Sequence, residues 1–262
     1  MSSLVRTARQ GARRGALLGT YARNRVSGRS ARLWSGRGGA LGVLLLHNTL
    51  KDDADRLIAY VDKYRDRITD FTAVESLDSR TGPPQLALSF DDGFKSNVAV
   101  ARRLDALNIQ ACFYVPTDVI GMEQGAVDQF FGRPQREGVV TLGDLEELAA
   151  MGHVIGSHCR QHRALSQQSD AEAEDQIKGS LAVLQERLGT ARHFAWPFGS
   201  LRHADPVKVV RWCTEVGAVA ASGVRGFNTA DRLESEGYLR RDAADLRWLE
   251  CDTDAFLVRD GA

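Results

Sequence analysis

From Leu41 onward the chain repeats one pattern: a short apolar run, an amphipathic stretch of helical period, then another apolar run. "LGVLLLHN", "QLALSF", "QACFYV", "HVIGS", "HFAWP" and "AVAAS" are short and continuously apolar, so they read as strands buried on both faces. Between them lie predicted helices. Leu57, Ile58, Val61 and Tyr64 line the first, and Val98, Ala101, Leu104 and Leu107 the second. A third carries Leu142, Leu145 and Leu148, opens with Thr141 and Asp144 in a capping arrangement, and closes near Gly152. A long fourth carries Ile177, Leu181, Leu184 and Leu188 and stops at Gly189, and "DPVKVVRWCTEVG" is a fifth. Strand-helix units imply parallel strands with helices outside, and about six or seven of them point to a β/α barrel, complete or incomplete.

In such folds the chemistry sits at the C-terminal ends of the strands. Those ends carry His47, the pair Asp91-Asp92, Ser157-His158, and Trp196-Pro197-Phe198-Gly199. Adjacent carboxylates at the mouth of a core repel each other, and burying either costs free energy unless a cation or a proton-transfer role compensates. His158 and His162 are four residues apart, a spacing that on a helical turn brings both imidazoles to one ion. Two histidines and one carboxylate make a metal site with open positions, while the other aspartate points toward water. Two surface histidines in a loop are the alternative.

The chain is 43% hydrophobic and 26% charged, as a globular protein is, with 34 basic and 34 acidic residues. The charge is uneven: residues 1–40 hold nine arginines and no lysine or acid, leaving the remainder net acidic. Residues 1–40 therefore read as a basic arm, mobile or loosely helical, preceding a domain over 41–262. Contact with an anionic membrane surface and a transit-peptide role are the sharper readings. No aromatic interleaving supports nucleic-acid binding. "GALLGT" is too short for a secretory signal, so the expected location is cytoplasmic, with peripheral contact at the inner membrane face or organelle targeting as alternatives. Cysteines 112, 159, 213 and 251 are scattered and read as free thiols.

Together, "LALSFDDGFKSN", "QACFYVPTDVIG", "GSHCRQHRAL" and "FAWPFGS" resemble the motifs of the polysaccharide deacetylases, carbohydrate esterase family 4, over roughly residues 41–225. The resemblance implies a distorted, incomplete (β/α) barrel of about seven parallel strands and one divalent metal ion, zinc or else cobalt, nickel or iron. It implies Asp91 as general base, Asp92, His158 and His162 as metal ligands, and Phe198 as backbone donor to the oxyanion. "VLLLHN" matches the branch whose first strand ends in a general-acid histidine, which nominates His47. Cys159 stands where the family has Thr or Ser, and no arginine precedes Pro197 to orient Asp91; Arg240 or Arg241 is left to supply that charge. Trp196, Pro197, Phe94 and Arg241 are the expected substrate contacts, with the rings of Trp196, Phe198 and Phe94 forming a rim for sugar faces and core packing as the competing reading for each.

The expected activity is metal-dependent removal of an N-acyl group, taken as acetyl, from an amino-sugar-containing glycan or glycan precursor. A barrel that binds carbohydrate or a partner without turnover, and a deformylase or imide hydrolase of the same fold, are the alternatives.

Overall fold

A computed structural model describes residues 15, 18–24, 26–27 and 39–259, with side chains up to 254. The expectation of a basic arm over 1–40 falls mostly outside them. Residues 18–24 are helical, with Tyr21 donating from its hydroxyl to Glu250 (2.6 Å) and Asn24 from its amide to buried Asp254 (3.0 Å). No described helix is long and apolar enough to cross a membrane.

The apolar runs form strands β1 (Leu41–Leu46), β2 (Gln85–Phe90), β3 (Cys112–Val115), β4 (Val154–Ser157), β5 (His193–Ala195) and β6 (Val219–Ala221). Two further strands, β7 (Tyr238–Leu239) and β8 (Asp242–Ala243), are two residues each and too short to show a period. The helices between are α1 (Lys51–Lys63), α2 (Ser96–Asp105), α3 (Gln124–Phe130), α4 (Leu142–Ala150), α5 (Asp170–Leu188), α6 (Pro206–Thr214), α7 (Ala230–Glu236) and α8 (Leu249–Arg259). Thr141 and Asp144 form the expected capping box of α4, Ser169 and Glu172 form another on α5, and Gly189 ends α5 at φ 71°. There glycine avoids the Cβ penalty of the left-handed region.

All pairings between the strands are parallel, in one eight-stranded sheet of order β7-β6-β5-β4-β3-β2-β1-β8. β7 and β8 are opposite edges of this sheet, yet only Arg240 and Arg241 separate them. Three peptide steps span at most about 11 Å, so the edges must approach each other. The sheet is therefore an incomplete barrel with a narrow seam. Asn228 ties the seam: it exchanges backbone hydrogen bonds with Leu41 (2.9 and 2.8 Å), and its side-chain amide binds the backbone of Arg240 in both directions.

Alternation splits the core in two. Leu44, Leu46, Leu86, Leu88, Phe113 and Phe194 pack with the outer helices. Leu41, Val43, Ala87, Cys112, Tyr114, Ala195, Ala221 and Leu239 form a second cluster inside the barrel, with Phe71, Val74 and Leu77. Small residues leave that interior room for Tyr114: a Cβ on Gly156 would lie 2.6 Å from its ring.

Buried His153, just before β4, joins three elements. Its Nδ1 accepts from the Ala111 N–H (3.1 Å), and its Nε2–H donates to the Ala101 carbonyl (3.0 Å). Both bonds need the neutral ring, and burial lowers its pKa. The folded state thus binds fewer protons than the unfolded chain, so this contribution is complete above about pH 6.5 and shrinks as pH falls below it. We expect the urea midpoint of the wild type to drop more steeply from pH 7 to pH 5 than that of His153→Gln; equal slopes would contradict this.

Candidate active site

β2 continues its ladder one step past its end, where the Asp91 N–H donates to the Leu46 carbonyl (2.9 Å). Asp92 then turns into the left-handed region (φ 74°), followed by Gly93 (φ 66°), whose missing Cβ would strike Val115 at 2.8 Å. The two neighbouring carboxylates are thereby aimed differently, and both are 3% exposed.

His158 follows β4, its N–H donating to the Val115 carbonyl (3.0 Å). Residues 158–164 contain no helical turn, so His162 does not reach the site by helical spacing as expected. Cys159 (φ 67°) and His162 (φ 49°) are left-handed instead, and the loop folds His162 back over His158 with ring centroids 5.0 Å apart. The side-chain oxygen of buried Gln176 on α5 holds this loop by accepting from the N–H groups of Arg160 (3.2 Å) and Gln161 (2.9 Å).

One atom each of Asp92, His158 and His162 lie mutually within 4.8 Å. Asp92 Oδ1 is 3.1 Å from His162 Nε2 and 3.7 Å from His158 Nε2, yet it accepts no hydrogen bond. His158 Nδ1 donates to the Ala195 carbonyl (2.7 Å), which leaves its Nε2 with a lone pair. Burial, above all, lowers the His158 pKa to about 4, so the ring is neutral near pH 7. The His158 lone pair and the His162 ring nitrogen thus face a buried, unpartnered carboxylate oxygen. That donor set fits a divalent cation, and the Ala195 carbonyl supplies the kind of outer bond that would fix a ligating imidazole.

Burial works against the Asp91 charge, but Arg241, His158 and His47 outweigh it and hold the carboxyl below the usual range. Asp92 is likewise held low against burial, by His162, His47 and His158. Arg241 binds Asp91 in bidentate fashion, Nη1 to Oδ1 at 2.6 Å and Nη2 to Oδ2 at 3.0 Å. It also donates to the Ser222 carbonyl and the Ser89 hydroxyl, and its guanidinium lies 4.6 Å from the Tyr114 ring centroid. Of the two candidate arginines, Arg241 is therefore the one on Asp91; Arg240 pairs with Glu236.

Arg241 is fully buried and cannot touch a substrate, so its expected substrate-binding role is corrected to that of a positioning residue. Trp196 (0% exposed) and Phe94 (3%) are corrected likewise. Trp196 packs edge-on against Tyr238 and Phe94 stacks on Phe131, so neither offers a face to a sugar; Pro197 is buried too. Cys159 lies in the core with its thiol pKa pushed well up by burial, neither ligand nor nucleophile.

Phe198 alone of that motif is exposed (57%), its ring 5.0 Å from both His162 and His203. Its φ is 63°, and its N–H has no acceptor among the described residues. Gly199 and Gly223 hold this turn back to back: a Cβ on Gly199 would lie 2.5 Å from Gly223 Cα. His47 is exposed at the end of β1, beside Asp91 in the sheet register. The structure thus gathers Asp91, Asp92, His158 and His162, with His47 and Phe198 flanking them. Gln176 and Asn228 escaped sequence reasoning, because a polar residue within a helix or loop carries no signal of what it will hold.

No curated protein matches the chain. Among solved structures it is similar to IcaB from Ammonifex degensii, at 19% identity and a TM-score of 0.65, covering 85% of this chain and 98% of that one. It is also similar to the Streptococcus pyogenes deacetylase PplD in complex with acetate (15%, TM-score 0.65, 86% and 99%) and to BC0361, a polysaccharide deacetylase from Bacillus cereus (18%, TM-score 0.63, 83% and 69%). At such identities these likenesses establish the fold. The family model described as Polysaccharide deacetylase matches residues 78–212, just over half the chain, a span that holds both aspartates, both histidines and the Phe198 turn. The chain belongs to the polysaccharide deacetylase family.

Proposed function

We propose that this chain is a metal-dependent deacetylase that hydrolyses the N-acetyl group of an amino sugar within a glycan or glycan precursor. The observation that carries the reading is the Asp92 oxygen, buried and without a hydrogen bond, faced by two imidazole nitrogens. Asp92, His158 and His162 would hold one divalent cation. When bound, such an ion supplies Lewis acidity, polarising the acyl carbonyl and making water easier to deprotonate.

The protein's own groups do the rest. Asp91, kept ionised and oriented by Arg241, accepts a proton from water as its oxygen bonds to the acyl carbon. The free Phe198 N–H donates to the carbonyl oxygen as negative charge develops there. His47 gives a proton to the amide nitrogen as the C–N bond breaks, because an unprotonated amine leaves poorly. The products are acetate and the free amino sugar. Phe198 offers the one exposed ring of its motif for a sugar face.

Purified protein should contain one divalent ion per chain by elemental analysis, and His158→Ala should lose it; wild type purified with no ion, and unable to bind added zinc, would favour a binding barrel over an enzyme. Asp91→Asn should cut acetate release from N-acetylated oligosaccharides by at least about a thousandfold while metal content stays at one. Arg241→Met should destabilise the fold by ~3–5 kcal/mol, since it strands a buried carboxylate. In the fraction that remains folded, the acid limb of the pH–rate profile should move to higher pH, because the cation that most lowers the Asp91 pKa is gone. An unmoved limb would leave Arg241 a purely structural role.

A further inference from the structure

Two clefts reach the candidate site, one through His162 and one through His47, and they differ in charge. One, of about 710 Å³, includes His162 and Phe198 and is lined by the amides of Gln161, Gln167, Gln168 and Gln176 together with Arg163, Glu172 and Asp175, one cation against two acids. The other, of about 850 Å³, includes His47 and lies between the ends of β1 and β8, the start of α1, and Arg136. Both are large enough for a sugar-sized ligand.

The His47 cleft is richer in charge. Arg56 is tied to Asp53 (2.9 Å), and Arg247 to Asp245 (2.7 Å). Lys51 and Arg136 make no ion pair or side-chain hydrogen bond among the described residues, and Asp52 is the one acid of the cleft left to offset them. Two uncommitted cations against one carboxylate leave a positive surplus beside the general acid. A neutral amino sugar would waste it, whereas an anion would complement it.

We propose that the His47 cleft is a subsite for an anionic group carried by the substrate next to its N-acetyl sugar, a phosphate or a carboxylate, contacted by Lys51 and Arg136. The other cleft, which has no cationic surplus, takes a hydroxyl-bearing part. The inference rests on the deacetylase reading for the sugar between the two clefts, but its test reads binding without turnover. The substrate class is thereby narrowed from any N-acetylated glycan to one with a charged neighbour.

The test uses the full chain and two matched pairs of probes, with affinities read by calorimetry. N-acetylglucosamine 1-phosphate is compared with its methyl glycoside, and an N-acetylglucosamine–glucuronate disaccharide with chitobiose. The first pair reports phosphate and the second carboxylate. We expect the anionic member of at least one pair to bind about fivefold tighter, as two exposed charge contacts allow. That preference should fade in 0.5 M salt and disappear in Lys51→Ala/Arg136→Ala. Equal affinities within both pairs would overturn the subsite, as would a preference that survives the double variant. A salt-sensitive anionic preference that the double variant abolishes, with no acetate released from any probe, would instead sink the deacetylase reading and leave the subsite standing.

Discussion

The buried ion pair between Arg241 and Asp91 is the interaction on which the rest of the molecule turns. Arg241 belongs to the two-residue link that carries the chain from one edge of the sheet to the other. Its guanidinium enters the barrel, lies over Tyr114, and binds Asp91 through two nitrogens. Desolvating both charges is expensive, and it is offset in part because two further donors are met, by the Ser222 carbonyl and the Ser89 hydroxyl. Closure of the barrel and orientation of the Asp91 carboxylate are thus one event. Displacement of the link would open the seam and release the carboxylate together.

The rim stores strain at the candidate site. Of the five described non-glycine residues in the left-handed region, Asp92, Cys159, His162 and Phe198 are all at the site. Each such residue costs on the order of 1–3 kcal/mol and persists only where its surroundings over-determine it. Here the surroundings can be named. Val115 crowds the turn at Gly93, Gln176 holds the loop between the histidines, and the Gly199–Gly223 contact fixes Phe198. Strained loops anchored on a rigid barrel give a precise arrangement of groups without asking the barrel itself to deform.

The small interior of the barrel serves the same end. Ala87, Cys112, Gly156, Ala195 and Ala221 leave space that Tyr114 and Arg241 fill, so the Asp91 carboxylate is supported from beneath by an aromatic face and a cation.

Apolar runs and helical spacing were enough to place six strands, five helices, the Thr141–Asp144 cap and the stop at Gly189, because each follows from residues close together in the chain. The motif residues likewise pointed to Asp92, His158 and His162 as a cluster, and they do meet. What local pattern could not contain was decided in three dimensions. β7 and β8 are too short to have a period and exist through pairing with distant strands. The choice of Arg241 over Arg240 depends on which one faces into the seam, and Trp196 is core because Tyr238 covers it. His162 reaches Asp92 through a left-handed loop held by a glutamine from a later helix, where spacing alone suggested a helical turn. Periodicity reports which face of an element is buried; only closure of the sheet sets what that face will meet.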